Sequence, residues 1–178
     1  MVYKFRVILD TEDDVFRDIA ILEDDTLEDL HNAIVNAFGF DGTEIGSFYT
    51  CDNQWNQDEE IPLFDTGDVV GEQKIMSDYT LAEILDKENT KIIYVYDFLN
   101  MWTFLVELAA IDEVAAGTIY PDMLFAHGIM PDSAPDKDFS DAAVNEFDYE
   151  EDDYDEDDLD MLDGGENFED FGFEENWN

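Results

Sequence analysis

Positive charge is scarce in this chain. Its 178 residues include 7 lysines and arginines against 49 aspartates and glutamates, a formal net charge of −42. Direct grip on duplex DNA or RNA replaces condensed counterions with a basic footprint. No basic cluster is present, so no direct nucleic-acid binding is expected. Anionic membrane surfaces are disfavoured for the same reason. Cysteine is nearly absent as well. Cys51 stands alone and can form no internal disulfide, which suits a reducing compartment. Histidine is limited to His31 and His127, neither close to Cys51 in sequence. No run approaches the roughly 18 apolar residues of a membrane span. The opening MVYKFRVILD lacks the apolar stretch of a signal peptide. The expectation is a cytoplasmic protein. Glycine-rich phosphate loops, CxxC pairs and Ser-His-Asp patterns are missing too, so no cofactor is expected.

What is present in excess is carboxylate. Residues 1–132 hold 29 acidic and 6 basic residues, net −23; the much shorter 133–178 hold 20 and 1, net −19. Such a surface attracts basic proteins and divalent cations. A halophilic origin would account equally well for its uniform acidity.

The N-terminal half has clear periodicity. In VYKFRVIL, residues 2–9, Tyr3, Phe5, Val7 and Leu9 share one face and Lys4 and Arg6 the other, as in a half-buried strand. DTEDD is turn chemistry, and VFRDIAIL at 15–22 returns as a second strand of a hairpin. Thr26 and Asp29 have the spacing of a helix N-terminal capping box, with further acids at the positive end of the dipole. Leu27, Leu30, Ile34 and Phe38 make one apolar stripe, and Gly39 stands where a C-cap belongs. EIGSFYT, residues 44–50, reads as a short strand; 51–76 as a long polar loop or insertion; Thr80 and Glu83 as the start of a short helix.

Residues 92–106, IIYVYDFLNMWTFLV, read as two strands of a buried hairpin. With an even loop, positions summing to 199 face each other: Asp97 opposes Trp102 and Val95 opposes Phe104, and this face is core. An odd loop moves Trp102 to the face of Tyr94 and Tyr96, because a one-residue slip swaps faces. Leu99 does not adopt the left-handed backbone cheaply, whereas Asn100 does, so the loop is expected to be wider than two residues. Residues 110–131 are less regular and are expected to pack back on the sheet.

The element order is β-β-α-β-α-β-β. It predicts an α+β domain over 1–132, β-grasp-like, with a mixed sheet and one main helix packed across it. After Pro131 the chain changes character. Residues 133–178 form an acidic-aromatic tail, expected to be disordered because it offers too little apolar surface to offset the entropy of ordering. Phe147, Tyr149, Tyr154, Phe168, Phe171, Phe173 and Trp177 are spaced through it. Carboxylates that attract at long range and aromatics that anchor cations make it a candidate ligand for a basic protein partner. The plainer role is a solvating tail. DYDEDDLDMLDGG fails the calcium-loop test: with Gly164 at loop position six, positions one and three are Leu159 and Met161. Nothing in the pattern sets an oligomeric state.

Carboxylates are so frequent that pairs of them say little. A general acid needs a raised pKa, from burial or a close like charge. Asp97 is the acid with dense apolar runs on both sides. With Tyr96, Asn100 and Trp102 it could border a pocket; more simply, it bonds the backbone of its own turn. His31 lies at the edge of the helix stripe. Asn32, Val35 and Phe38 do not give it a second ligand at helical spacing, so no metal site is expected, and a hydrogen-bonded core histidine is the simpler role. The alternatives are therefore a non-enzymatic interaction module and a ligand-binding or enzymatic domain centred on Asp97, Tyr96 and Trp102, with His31.

Several segments together resemble the family named after the third open reading frame of plasmid pRiA4b, proteins associated with mobile elements. The carriers are Val15-Phe16-Arg17, an IWR-like strand; Leu30-His31 with Ile34 and Ala37-Phe38-Gly39-Phe40, an LH…AFGW-like helix end; Tyr96-Asp97-Phe98 with Trp102 and Glu107, a YDFGD-W-H-like hairpin; and Tyr120-Pro121, Gly128 and Pro131. The resemblance spans about residues 2–131, without the tail. It implies an α+β fold and a link to mobile DNA, with no established reaction. This chain departs from the pattern at Leu99-Asn100, which replaces Gly-Asp, and at Phe104, which replaces a histidine. Glu44-Ile45-Gly46 stands where the family has an HLH-like strand.

Overall fold

A computed structural model describes residues 1–135, all within one unit, Met1–Lys137. The tail aromatics named above lie outside the described residues, as does nearly all of the segment 133–178 that carries them.

The alternation of residues 2–9 becomes β1 (Val2–Leu9), which turns into β2 (Phe16–Leu22). Their antiparallel register runs from Val2 opposite Leu22 to Ile8 opposite Phe16. The capping box starts α1 (Leu27–Phe38). Thr26 Oγ1 accepts the Asp29 amide at 3.2 Å, and the Asp29 carboxylate accepts the Thr26 amide at 2.8 Å. Gly39, with φ 78°, ends the helix in the left-handed conformation that glycine adopts without strain. Then follow β3 (Gly46–Cys51), β4 (Gln57–Pro62), a 3-10 turn (Met76–Asp78), α2 (Leu81–Ile84), β5 (Lys91–Tyr96), β6 (Trp102–Asp112) and β7 (Asp122–His127).

The seven strands form one sheet in the order β4-β3-β5-β6-β1-β2-β7. Every ladder is antiparallel, including the central pair β1 and β6, so the expected mixed sheet is not what forms. Two further corrections concern strands. The expected loop at 51–76 contains β4, and the irregular segment 110–131 contains the end of β6 and all of β7. Both new strands are edges. Their side chains do not alternate in hydrophobicity because β7 and the first four residues of β4 are exposed on both faces.

Helix α1 packs its stripe of Leu27, Leu30, Ile34 and Phe38 on one face of the sheet, against Phe5, Val7, Ile19, Tyr94, Phe104 and Val106. Leu81 and Leu85 close the core near the start of the helix, where the Leu27 amide bonds the Tyr79 carbonyl at 3.0 Å.

Candidate functional site

The hairpin that carries the candidate residues has an odd loop. Tyr96 faces Trp102 and Tyr94 faces Phe104, so opposed positions sum to 198, and residues 97–101 connect the strands. The loop is wider than two residues, as the poor fit of Leu99 to a tight turn predicts. Of the two registers it is the odd one that forms, which puts Trp102 on the face of Tyr94 and Tyr96. Ile92, Tyr94, Tyr96, Trp102, Phe104 and Val106 belong to the core beneath the helix, while Ile93 and Val95 point the other way with Thr103. The left-handed residues are also not the expected one: Asp97 (φ 59°) and Met101 (φ 57°) take that conformation, and Asn100 does not.

Asp97 spends both carboxylate oxygens on its own loop. One accepts the Leu99 and Asn100 amides at 3.1 and 3.3 Å, and the other accepts the Asn100 side-chain amide at 2.5 Å. Its backbone amide donates to the Ile45 carbonyl at 2.9 Å, and its carbonyl receives the Met101 amide at 2.6 Å. The Asn100 side chain, followed by the two backbone amides, holds the carboxyl below its ordinary value. A group stabilised as an anion in this way is a poor proton donor.

Tyr96 and Trp102 meet around Phe40, whose ring lies 4.7 Å from that of Tyr96 and 5.4 Å from that of Trp102. The Tyr96 hydroxyl accepts the Glu44 amide at 3.2 Å. His31 is 5% exposed, deeper than its place at the stripe's edge predicts. Its Nδ1 lies 2.6 Å from the Tyr94 hydroxyl. Burial lowers the His31 pKa and raises that of Tyr94, so the pair is a neutral imidazole and a phenol. The phenol and Nδ1 share one buried hydrogen bond.

Gly46 explains one departure from the family pattern. A Cβ there would stand 2.8 Å from the Val95 carbonyl oxygen and 3.0 Å from the Tyr94 hydroxyl. Tyr94 thus fills the space that a side chain at 46 would need. His31, Tyr96 and Trp102 do come together in one aromatic layer, with the His31 and Tyr96 rings 6.3 Å apart, but Asp97 turns into its loop rather than toward them. Two cavities border the loop: one of about 330 Å³ is lined by Phe98 together with Ile45, Glu60, Leu63 and Phe64, and one of about 430 Å³, on the other sheet face, by Met101 with Thr103, Val95 and Tyr49. Among the described residues, no cluster of three His, Cys, Asp or Glu side chains is placed to hold a metal ion. No described helix is long and apolar enough to cross a membrane.

Arg17, named in the sequence only as part of the IWR-like strand, turns out to be a buried structural cation. It is 9% exposed and its partners are carbonyls. Nη1 donates to Phe16 at 2.8 Å and His127 at 2.7 Å, and Nε donates to Ala37 at 3.2 Å, while the guanidinium lies 4.9 Å over the Phe38 ring. Burial lowers its pKa from the ordinary arginine value. The side chain thereby ties the carboxyl end of α1 to β2 and β7. The signal was legible: Arg17 has the parity of Ile19 and Ile21, a cation on a buried strand face.

These features define a small α+β domain, one helix over an antiparallel sheet, in which the described buried polar side chains have hydrogen-bond partners. The model of the plasmid pRiA4b ORF-3-like protein family matches residues 1–169, and the chain belongs to that family. The match extends well past residue 131, so the likeness includes most of the tail and is wider than the motifs alone indicated. Among solved structures, a protein of unknown function from Methanosarcina mazei Go1 is similar, with 24% identity and a TM-score of 0.61 over 70% of this chain and 68% of that one. That likeness concerns the fold alone. No curated protein matches.

Proposed function

We propose that this protein is a non-enzymatic interaction module whose acidic tail engages a basic protein partner. The observation that carries the reading is the charge, −42 with 7 basic residues. The few described cations support it, since most are already engaged. Lys4 pairs with Asp112, and Arg6 pairs with Asp18 at 2.8 Å. Arg17 is surrounded by carbonyls, and Lys91 lies 4.8 Å over the Trp55 ring. The exposed field is therefore almost wholly negative, which favours fast capture of positive surfaces. In this reading residues 1–132 are the β-grasp-like domain, 133–178 are the binding segment, and the protein works in the cytoplasm. The family name supplies the link to mobile DNA, reached through a protein and not through direct contact with nucleic acid.

The test is capture from native lysate by the full chain, by a chain ending at Pro135, and by a full chain with Phe168, Phe171 and Phe173 replaced by serine. Basic proteins held by the full chain, shed by moderate salt and lost from both variants are the expected result. Equal capture by the shortened chain would move the function to the domain. Asp97→Asn, with Tyr96 and Trp102 intact, would then decide whether a ligand pocket lies at that hairpin.

A further inference from the structure

The two edges of the sheet are built differently. At one end, β4 presents Gln57-Asp58-Glu59-Glu60, all exposed and mostly charged, the usual protection of a strand edge against unwanted pairing. At the other, β7 reads Asp-Met-Leu-Phe-Ala-His and is exposed along its whole length. Met123, Leu124 and Phe125 are 52%, 47% and 52% exposed, with Ile119 and Ile129 almost bare beyond either end. A register shift against β2 makes Leu124 the extra residue of a bulge, which bends this edge without charging it. An apolar edge of this kind on a protein of net charge −42 is a binding surface by composition.

The edge is also held in place. Arg17 grips the His127 carbonyl at 2.7 Å. The Phe16 ring stacks on His127 at 5.2 Å and packs near Phe125 at 5.9 Å. Gly128 is pressed so closely on the β1–β2 turn that a Cβ would lie 2.3 Å from the Asp14 carbonyl oxygen. A strand fixed in this way offers its outer amides and carbonyls with little ordering left to do.

Charge specifies the occupant. No lysine or arginine occurs between Lys91 and Lys137. Asp122 stands at one end of β7. At the other, β2 pairing puts Phe16 beside His127, and Gly128 lies against Asp14 of the turn that also carries Glu12 and Asp13. A second copy of this chain would bring the same negative field against itself, whereas an apolar strand with basic ends meets carboxylates at both.

We propose that the outer edge of β7 docks an extended apolar-and-basic segment of a partner protein, which adds to the sheet as an eighth strand. Main-chain bonds to β7 would supply affinity, and Met123, Leu124 and Phe125 would supply contact for alternate side chains. The site is on the sheet and does not depend on the tail.

The probe is a short acetylated peptide alternating lysine and valine, added to the full chain, with binding read by fluorescence anisotropy and by amide hydrogen exchange at moderate salt. The expected result is slowed exchange at Met123–His127 and binding weakened at least about tenfold by Leu124→Lys. Glu59→Lys on β4 leaves both readouts unchanged. Phe125→Thr, which keeps strand propensity, repeats the test should Leu124→Lys unfold the edge. Unchanged exchange in β7, or equal binding by the β7 variants, would overturn the proposal and place the peptide elsewhere on the acidic surface. Equal binding of the peptide with glutamate for lysine would overturn the charge argument. Self-association of the chain, dissolved by Leu124→Lys, would assign the edge to a second copy. Serine at Phe168, Phe171 and Phe173 leaves the β7 protection intact, which separates this site from the tail.

Discussion

Asp97 shows how one side chain can carry a loop. Its φ of 59° is costly for a residue with a Cβ, and the carboxylate offsets that cost with bonds to Leu99 and Asn100. Asp97→Ala keeps the strained backbone and loses the bonds, so it should destabilise the fold by about 1–2 kcal/mol in urea unfolding. His31 sets a different signature. Its pKa lies below the ordinary 6.5, so the unfolded chain takes up the proton first as pH falls. Its contribution to stability is fully present above pH 6.5 and is lost as pH drops below that value. Asp97, lowered from 3.8, contributes above that value and loses its contribution only in stronger acid. His31→Gln keeps a partner for Tyr94 and does not titrate. The stability of the native chain relative to His31→Gln should therefore fall as pH drops from about 7 to about 5. Parallel curves would mean that His31 is not held neutral by the core. Asp97 and His31 could be picked from the sequence, one as a turn former and one as a core histidine. The loop parity could not, since one residue more or less in 97–101 exchanges the two faces of β6, and local composition is indifferent to which occurs.

Among the elements, β1, β2 and α1 announced themselves by period, and β5 and the first half of β6 by their apolar runs, since β5 is buried on both faces. The two edge strands did not. β4 spells QDEEIP because its exposed end is charged, and β7 spells DMLFAH because both of its faces are exposed, so neither alternates. Arg17 and Gly128 are what attach β7, and both act through backbone groups that sequence pattern does not reveal. Gly128→Ala forces a Cβ into the Asp14 carbonyl at a φ of 76°. It should cost about 2 kcal/mol or more. The loss should be local, with β7 amides exchanging faster while those of β1 and β6 stay protected. Uniform loss across the sheet would show that β7 is part of the cooperative core.

At the scale of the whole molecule, self-repulsion dominates the electrostatics. With a net charge of −42 and few cations to balance it, the folded chain holds its carboxylates closer together than the unfolded chain does. Repulsion between exposed charges is largely screened beyond about 10 Å at 0.1 M salt, and over shorter distances as salt rises. Added sodium chloride should therefore raise the melting temperature progressively. A melting temperature indifferent to salt would mean that repulsion is as strong in the unfolded state.

The strand order has a consequence for how the protein is made. β1, which begins at the second residue, takes β6, Trp102–Asp112, as one of its two neighbours. On the ribosome, β1, β2 and α1 emerge early and can pair and cap locally. The far flank of β1 must wait until residue 112 has been synthesised. Until then that flank is an unpaired edge beside Phe5 and Val7, residues of the folded core. The acid-rich turn at 10–14 and the carboxylates around α1 leave the exit tunnel with it. They give the incomplete domain a charge that keeps neighbouring nascent chains apart until the sheet can close.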